Sequence, residues 1–246
     1  MDPALALALL IFAAATLYSS VGHAGASGYL AAMALYGLAP EVMRPSALAL
    51  NIVVAAIATY RYTRVGQNDW RILLPFALTS VPMAFIGGTL HVPPEVYRPL
   101  VGAVLLASAV QFVRTATQAP QDDARAAPPP LAAALPSGAA LGLLAGLSGT
   151  GGGIFLSPLI LMMHWAPTRR TSGIAASFIL VNSIAGLAGT TFSIGALPEA
   201  LPWWAAAAVA GGLIGTQLGT RVLPIPGIRL ALAAVLIVAA WKMFFG

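Results

Sequence analysis

The sequence predicts an all-α integral membrane protein of two inverted five-segment repeats, each with a glycine-broken helix pair. It has about ten membrane segments, eight long and two short. Three observations predict this. Charge is scarce, with 8% Asp, Glu, Lys and Arg against 59% hydrophobic residues, where a soluble domain carries about 25% charged residues. The apolar residues gather into runs of about 17–25, enough for a helix to cross a roughly 30 Å hydrocarbon core. The same order of runs occurs twice along the chain.

Composition excludes the other classes. A mean hydropathy of +0.88 is incompatible with disorder, which needs few apolar residues and high net charge. Glycine (25) and proline (19) follow no triplet period, and cysteine is absent. Disulfide frameworks, thiolate metal sites and cysteine nucleophiles are therefore out. The net charge of +5 comes from single arginines between apolar runs rather than a basic stripe, so it points to membrane topology and away from nucleic acid.

The first long run is 4–20. Met1-Asp2-Pro3 before it lacks the positive region of a secretory signal, so it reads as a retained helix, with cleavage after Tyr18-Ser19-Ser20 as the alternative. The other long runs are 44–60, 71–90, 96–113, 131–147, 171–194, 202–221 and 226–244. Two shorter pieces, 28–39 and 153–165, each follow a glycine-rich stretch. At 1.5 Å per residue they cover about 20 Å, too little to cross unaided. The polar interval 114–130, with Asp122, Asp123, Arg125 and Pro128-Pro129-Pro130, reads as a cytoplasmic linker between a first repeat, 1–113, and a second, 131–246.

Matched positions support the repeat. Gly22 to Gly28 lines up with Gly146 to Gly152, Ala39-Pro40 with Ala166-Pro167, and Ser46 with Ser172. Gly88, Pro93 and Arg98 line up with Gly219, Pro224 and Arg229. Ten crossings put nine basic residues in the cytoplasm and three (Arg44, Arg98, Lys242) outside; re-entrant short pieces would give six against six. The positive-inside bias favours ten, and five segments per half makes the repeats inverted.

The two glycine-rich breaks are the candidate site. Irregular backbone at membrane depth is tolerated only when buried in protein or lining a cavity, and the N–H groups opening each short helix suit an anion. Close helix packing is the plainer use of glycine, preferred for Ala84/Gly88 and Gly211/Gly215/Gly219. The breaks supply His23, Gly25, Ser27, Gly28, Ser148, Gly149, Thr150, Gly151 and Gly152. Ser46, Asn51, Ser172, Ser177 and Asn182 follow at steps of five along the next long helices, near one face. For the serines and threonines, bonding to their own helix backbone is the competing role. His23 is the one histidine in a break and can bind an anion, carry a coupling proton or simply pack. Gly146 to Gly153 lacks the Gly-Lys-Ser/Thr of a P-loop. No carboxylate lies mid-segment, which leaves no Ser/His/Asp set and no metal cluster in one pocket, so neither enzyme nor cofactor is expected. Arg169-Arg170 read as topology determinants, and Trp70, Trp165, Trp203, Trp204 and Trp241, near segment ends, as an aromatic belt.

Gly146-Leu-Ser-Gly-Thr-Gly-Gly-Gly-Ile-Phe-Leu-Ser-Pro-Leu, Arg170-Thr171-Ser172 and Asn182-Ser183-Ile-Ala-Gly186 resemble the TauE/SafE family of sulfite exporters. The repeat and the length extend the likeness over nearly the whole chain. The first half departs from the pattern, with Ala24-Gly25-Ala26-Ser27-Gly28 for the glycine run and Arg44-Pro45-Ser46 for the Thr-Ser pair. The resemblance implies a plasma-membrane carrier, in a prokaryotic inner membrane, for sulfite or organosulfonates. From the repeat, the expectation is a small anion bound between the breaks and moved by alternating access, with a coupling proton or ion; an anion channel or a carrier of another small organic anion is the alternative.

Overall fold

A computed structural model describes residues 3–117, 127–194, 197–221 and 226–245. Among them the chain forms ten α-helices and no strand: α1 Pro3–Ser19, α2 Ala26–Leu35, α3 Pro40–Arg64, α4 Trp70–Thr89, α5 Pro94–Thr117, α6 Leu131–Ser148, α7 Gly153–Met162, α8 Thr168–Ile194, α9 Leu201–Arg221 and α10 Pro226–Phe245. Five of them, α3, α4, α5, α6 and α8, hold stretches long and apolar enough to cross a membrane. The middle of the expected linker, 118–126, and Pro224 lie outside the described residues.

The two short helices are shorter than the sequence suggests. Each has ten residues, about 15 Å at 1.5 Å per residue. Both end in the same way. Leu38 N–H bonds Met33 O and Trp165 N–H bonds Ile160 O, while Gly37 and His164 take left-handed φ of 72° and 55°. This is the Schellman stop, which needs a left-handed residue after the last turn. Helix α3 starts at Pro40 rather than 44, because proline at the first helical position forfeits an N–H that has no partner there.

The halves do not pack as separate bodies. Helix α1 lies on α9, α4 on α6 and α8, α5 on α10, and α3 on α8 and α9. Two of these pairs are laid together by glycine. Gly211, Gly215 and Gly219 of α9 face the carbonyls of Phe12, Thr16 and Ser20 beside α1; Gly138, Gly142 and Gly146 of α6 face those of Phe76, Ser80 and Ala84 on α4. Both series ascend together, so each pair is parallel. A Cβ at any of the six would run into the facing carbonyl, which is why these positions carry small-residue packing. Gly88, set against Gly186 and Gly189 of α8, is a packing glycine as well. Helices α3 and α8 run antiparallel: Leu48 touches Gly186, Tyr62 and Ala58 cluster with Ala176, and Gln67 lies against Gly173.

The aromatic belt holds only in part. Trp70, Trp203 and Trp241 are exposed, but Trp165 and Trp204 are buried. Trp165 packs on Phe76 with ring centroids 5.8 Å apart, inside the cluster formed by α4, α7 and α8.

Candidate functional site

Two breaks separate α1 from α2 and α6 from α7, and left-handed glycines set their register. Gly22 (φ 81°) corresponds to Gly149 (φ 83°), and Gly25 (φ 110°) to Gly152 (φ 77°), the residues preceding the two short helices. Gly37 and His164 continue the same spacing. This shifts the sequence alignment of Gly22–Gly28 with Gly146–Gly152 by three residues. The first break therefore ends at Gly25, and Ser27 and Gly28 belong to α2, where Gly28 packs on Ala14 and Tyr18. Thr150 becomes the counterpart of His23, and Gly151 that of Ala24.

Each break closes against a helix backbone of the other half. Gly22 sits on Ser172 of α8, and Gly149 on Arg44 of α3, where an added Cβ would stand 3.1 Å from the Arg44 carbonyl oxygen. Neutral hydroxyls hold the first break. Ser172 Oγ donates to Val21 O (3.1 Å) and Thr168 O (3.3 Å), Tyr62 OH to Ser19 O (3.3 Å), and Tyr29 OH to Ala24 O (2.5 Å). The His23 ring is half-buried, with Nδ1 3.3 Å from Val21 O and Nε2 3.2 Å from Ser157 Oγ on α7. A carbonyl only accepts, so this bond puts the hydrogen on Nδ1.

A cation holds the second break. Arg44 is 3% exposed. Its Nε donates to Gly146 O (2.8 Å), Nη1 to Leu90 O (3.0 Å) and Nη2 to Gly87 O. These carbonyls belong to the last turns of α6 and α4, where the negative ends of the helix dipoles receive a cation. All three acceptors are neutral, so none of the groups bonded to the guanidinium carries a compensating charge. The sequence reading counts Arg44 among the basic residues on the outer side; the structure shows its side chain buried within the protein. Tyr97 OH adds a bond to Ser148 O (3.2 Å).

Past Gly149 the backbone is left bare. Gly151 (φ 71°) precedes the N-cap Gly152, which has no side-chain cap, so the N–H groups opening α7 have no side chain bound to them from that residue. A Cβ on Gly151 would lie 2.7 Å from Ser183 Oγ and 3.2 Å from Asn51 Nδ2. Ser183 and Asn51 are both fully buried, and the Ser183 hydroxyl and both Asn51 amide atoms lack hydrogen-bond partners. Buried polar atoms are seldom left unmet, which makes these the groups of the break with capacity to bind.

Several sequence candidates are spent on the fold instead. Ser148 Oγ donates to Leu144 O (2.6 Å) and lies 2.8 Å from Thr150 Oγ1. Asn182 Nδ2 donates to Phe178 O (2.8 Å). Ser177 Oγ accepts from Asn68 Nδ2 (2.9 Å) in the loop after α3, whose Asp69 caps α4 and sits 3.8 Å from Arg170. Ser46 differs from these, being buried with its hydroxyl unmet. Ser183 and Ser157 were missed as site residues although the family-like stretches contained them, and Arg44 although it stood out as a departure from the family pattern; Tyr97 gave no local signal.

Residues 7–243 match a family model described as sulfite exporter TauE/SafE. A probable membrane transporter protein of Sinorhizobium fredii is 43% identical over 249 residues, covering 98% of both chains. A probable membrane transporter protein of Methanocaldococcus jannaschii is 25% identical over 145 residues, covering 58% of this chain and 53% of the other. No solved structure matches the chain.

Proposed function

The chain belongs to the sulfite exporter TauE/SafE family, whose relatives are named membrane transporters, and on that premise we propose that it is a secondary carrier of small sulfur-containing anions, sulfite or organosulfonates. The observation that carries the anion reading is the second break: unmet Asn51 and Ser183 beside Gly151, at the uncapped start of α7. Arg44 next to Gly149 is the one charged side chain among the described residues that is buried. Hydroxyl and amide donors with a fixed positive charge suit an anion; a buried carboxylate would repel one.

Alternating access is the proposed mechanism. The antiparallel run of α3 and α8, each third in its half, supports inverted repeats. So does the exchange of partners, α1 on α9 and α4 on α6. The first break lies beside the C-terminal turns of α3, at Tyr62, and the second beside its N-terminal half, from Arg44 to Asn51. Rocking one half on the other would then open the polar space to one membrane face at a time. His23 is the group in the breaks proposed to carry a coupling proton.

The test is flux of radiolabelled sulfite into proteoliposomes, with sulfate, sulfoacetate and taurine as competitors. Saturable flux is expected. Ser183→Ala should raise KM by about tenfold, the loss of one buried hydrogen bond to a charged group, while Ser172→Ala should move it about twofold or less. Flux that does not saturate would make the protein a channel. No flux of any sulfur anion by folded protein would remove the substrate class.

A further inference from the structure

Resting on the anion reading above, we propose that the occupant of the Gly151 site is an anion that also carries a hydrogen-bond donor of its own: a hydroxyl, an ammonium, or the hydrogen of a singly protonated oxyanion. The inference comes from what the site leaves unmet. Asn51 is fully buried, and neither its amide nitrogen nor its amide oxygen has a partner. Nδ2 and the Ser183 hydroxyl can donate to anionic oxygens, but Oδ1 can only accept. A donor-free anion would satisfy the two donors and set its negative oxygens against an acceptor. Turning the amide over changes nothing, because either orientation presents one nitrogen and one oxygen.

The charge at the break points the same way. Arg44 supplies one fixed positive charge beside Gly149, with no other buried charged side chain among the described residues. One cation with an unmet acceptor suits a single negative charge accompanied by a hydrogen, and disfavours a bare dianion.

The probes are 2-hydroxyethanesulfonate, propane-1-sulfonate, which has a methyl group in place of the hydroxyl at nearly equal size, and sulfate. Affinities for the purified full chain are read from ligand-dependent shifts of thermal unfolding at constant ionic strength. The hydroxylated sulfonate should bind at least about tenfold tighter than its methyl isostere, and sulfate more weakly than either. In Asn51→Leu the preference between the sulfonates should fall to within about threefold. Should that variant fail to fold, the wild-type ratio still decides. Equal binding of the two sulfonates, or tighter binding of sulfate, overturns the donor requirement, leaves Oδ1 to water and keeps the anion reading. Absence of binding by all three overturns the anion reading itself.

Discussion

The two breaks share a backbone design and differ in what fills it. Left-handed glycines stand at matching places, Gly22 with Gly149 and Gly25 with Gly152, and each break leads into a ten-residue helix with the same stop. In the first break Ala24 takes the place of Gly151, and Tyr29 reaches back to bond its carbonyl. The phenol and the methyl occupy the space, and the Ser172, Tyr62 and Tyr29 hydroxyls, all uncharged, hold the backbone there. In the second break the matching position has no side chain, buried polar groups point at it unmet, and a guanidinium holds the backbone instead. A duplicated scaffold can therefore be divided, one copy closed by neutral side chains and the other clamped by a cation with buried polar groups left unmet beside it.

The strongest way to break this contrast is to put a methyl group where only the second break lacks one. Gly151→Ala adds left-handed strain of about 1–2 kcal/mol and sets a Cβ against Ser183 and Ile179. Initial transport rates should fall about a hundredfold, as misplacement by an ångström does. Gly37→Ala, at the same kind of φ (72°) with nothing within 4 Å, should bear the strain alone and keep transport. Equal losses in both variants would mean that backbone strain, not the site, sets the effect.

Next in size is the charge of the clamp. Arg44→Met leaves three carbonyls, two of them buried, without a donor and should lower unfolding stability by about 3–5 kcal/mol. Tyr62→Phe, its nearest analogue in the first break, should cost about 1 kcal/mol. Thermal unfolding in detergent measures both, and similar values would remove the distinction between a charged clamp and a neutral one. Smallest is the effect of His23. His23→Gln should keep the maximal rate within about twofold and flatten the change of rate between about pH 6 and 8. An unaltered pH profile would reduce His23 to a tether between the first break and Ser157.

What was legible in the sequence was whatever depends on near neighbours. The order of helices, both interruptions and the packing roles of Gly88, Gly211, Gly215 and Gly219 follow from local apolar length and glycine spacing, and they stand in the structure. What failed depends on distant partners. Arg44 reads as a surface arginine until Gly146, 102 residues away, meets it. Trp165 and Trp204 sit near helix ends, as belt residues do, but neighbouring helices cover them. Ser183 is a small polar residue in a helix, unremarkable until Gly151 and Asn51 arrive beside it. The three-residue error in aligning the breaks arose because glycine identity was matched, whereas the repeat preserves positive φ, which His164 also supplies.

The crossed pairing of helices also has a consequence for how the chain is made. Helix α1 leaves the ribosome nearly two hundred residues before its glycine-faced partner α9, and α5 well before α10. Until those partners are synthesised, the faces of α1 and α5 that they cover have only lipid to lie against, although both helices already meet α2 and α3. Packing across the two halves is then completed only when the last two helices arrive. Nascent chains released before α9 should therefore be the ones that membrane quality control removes.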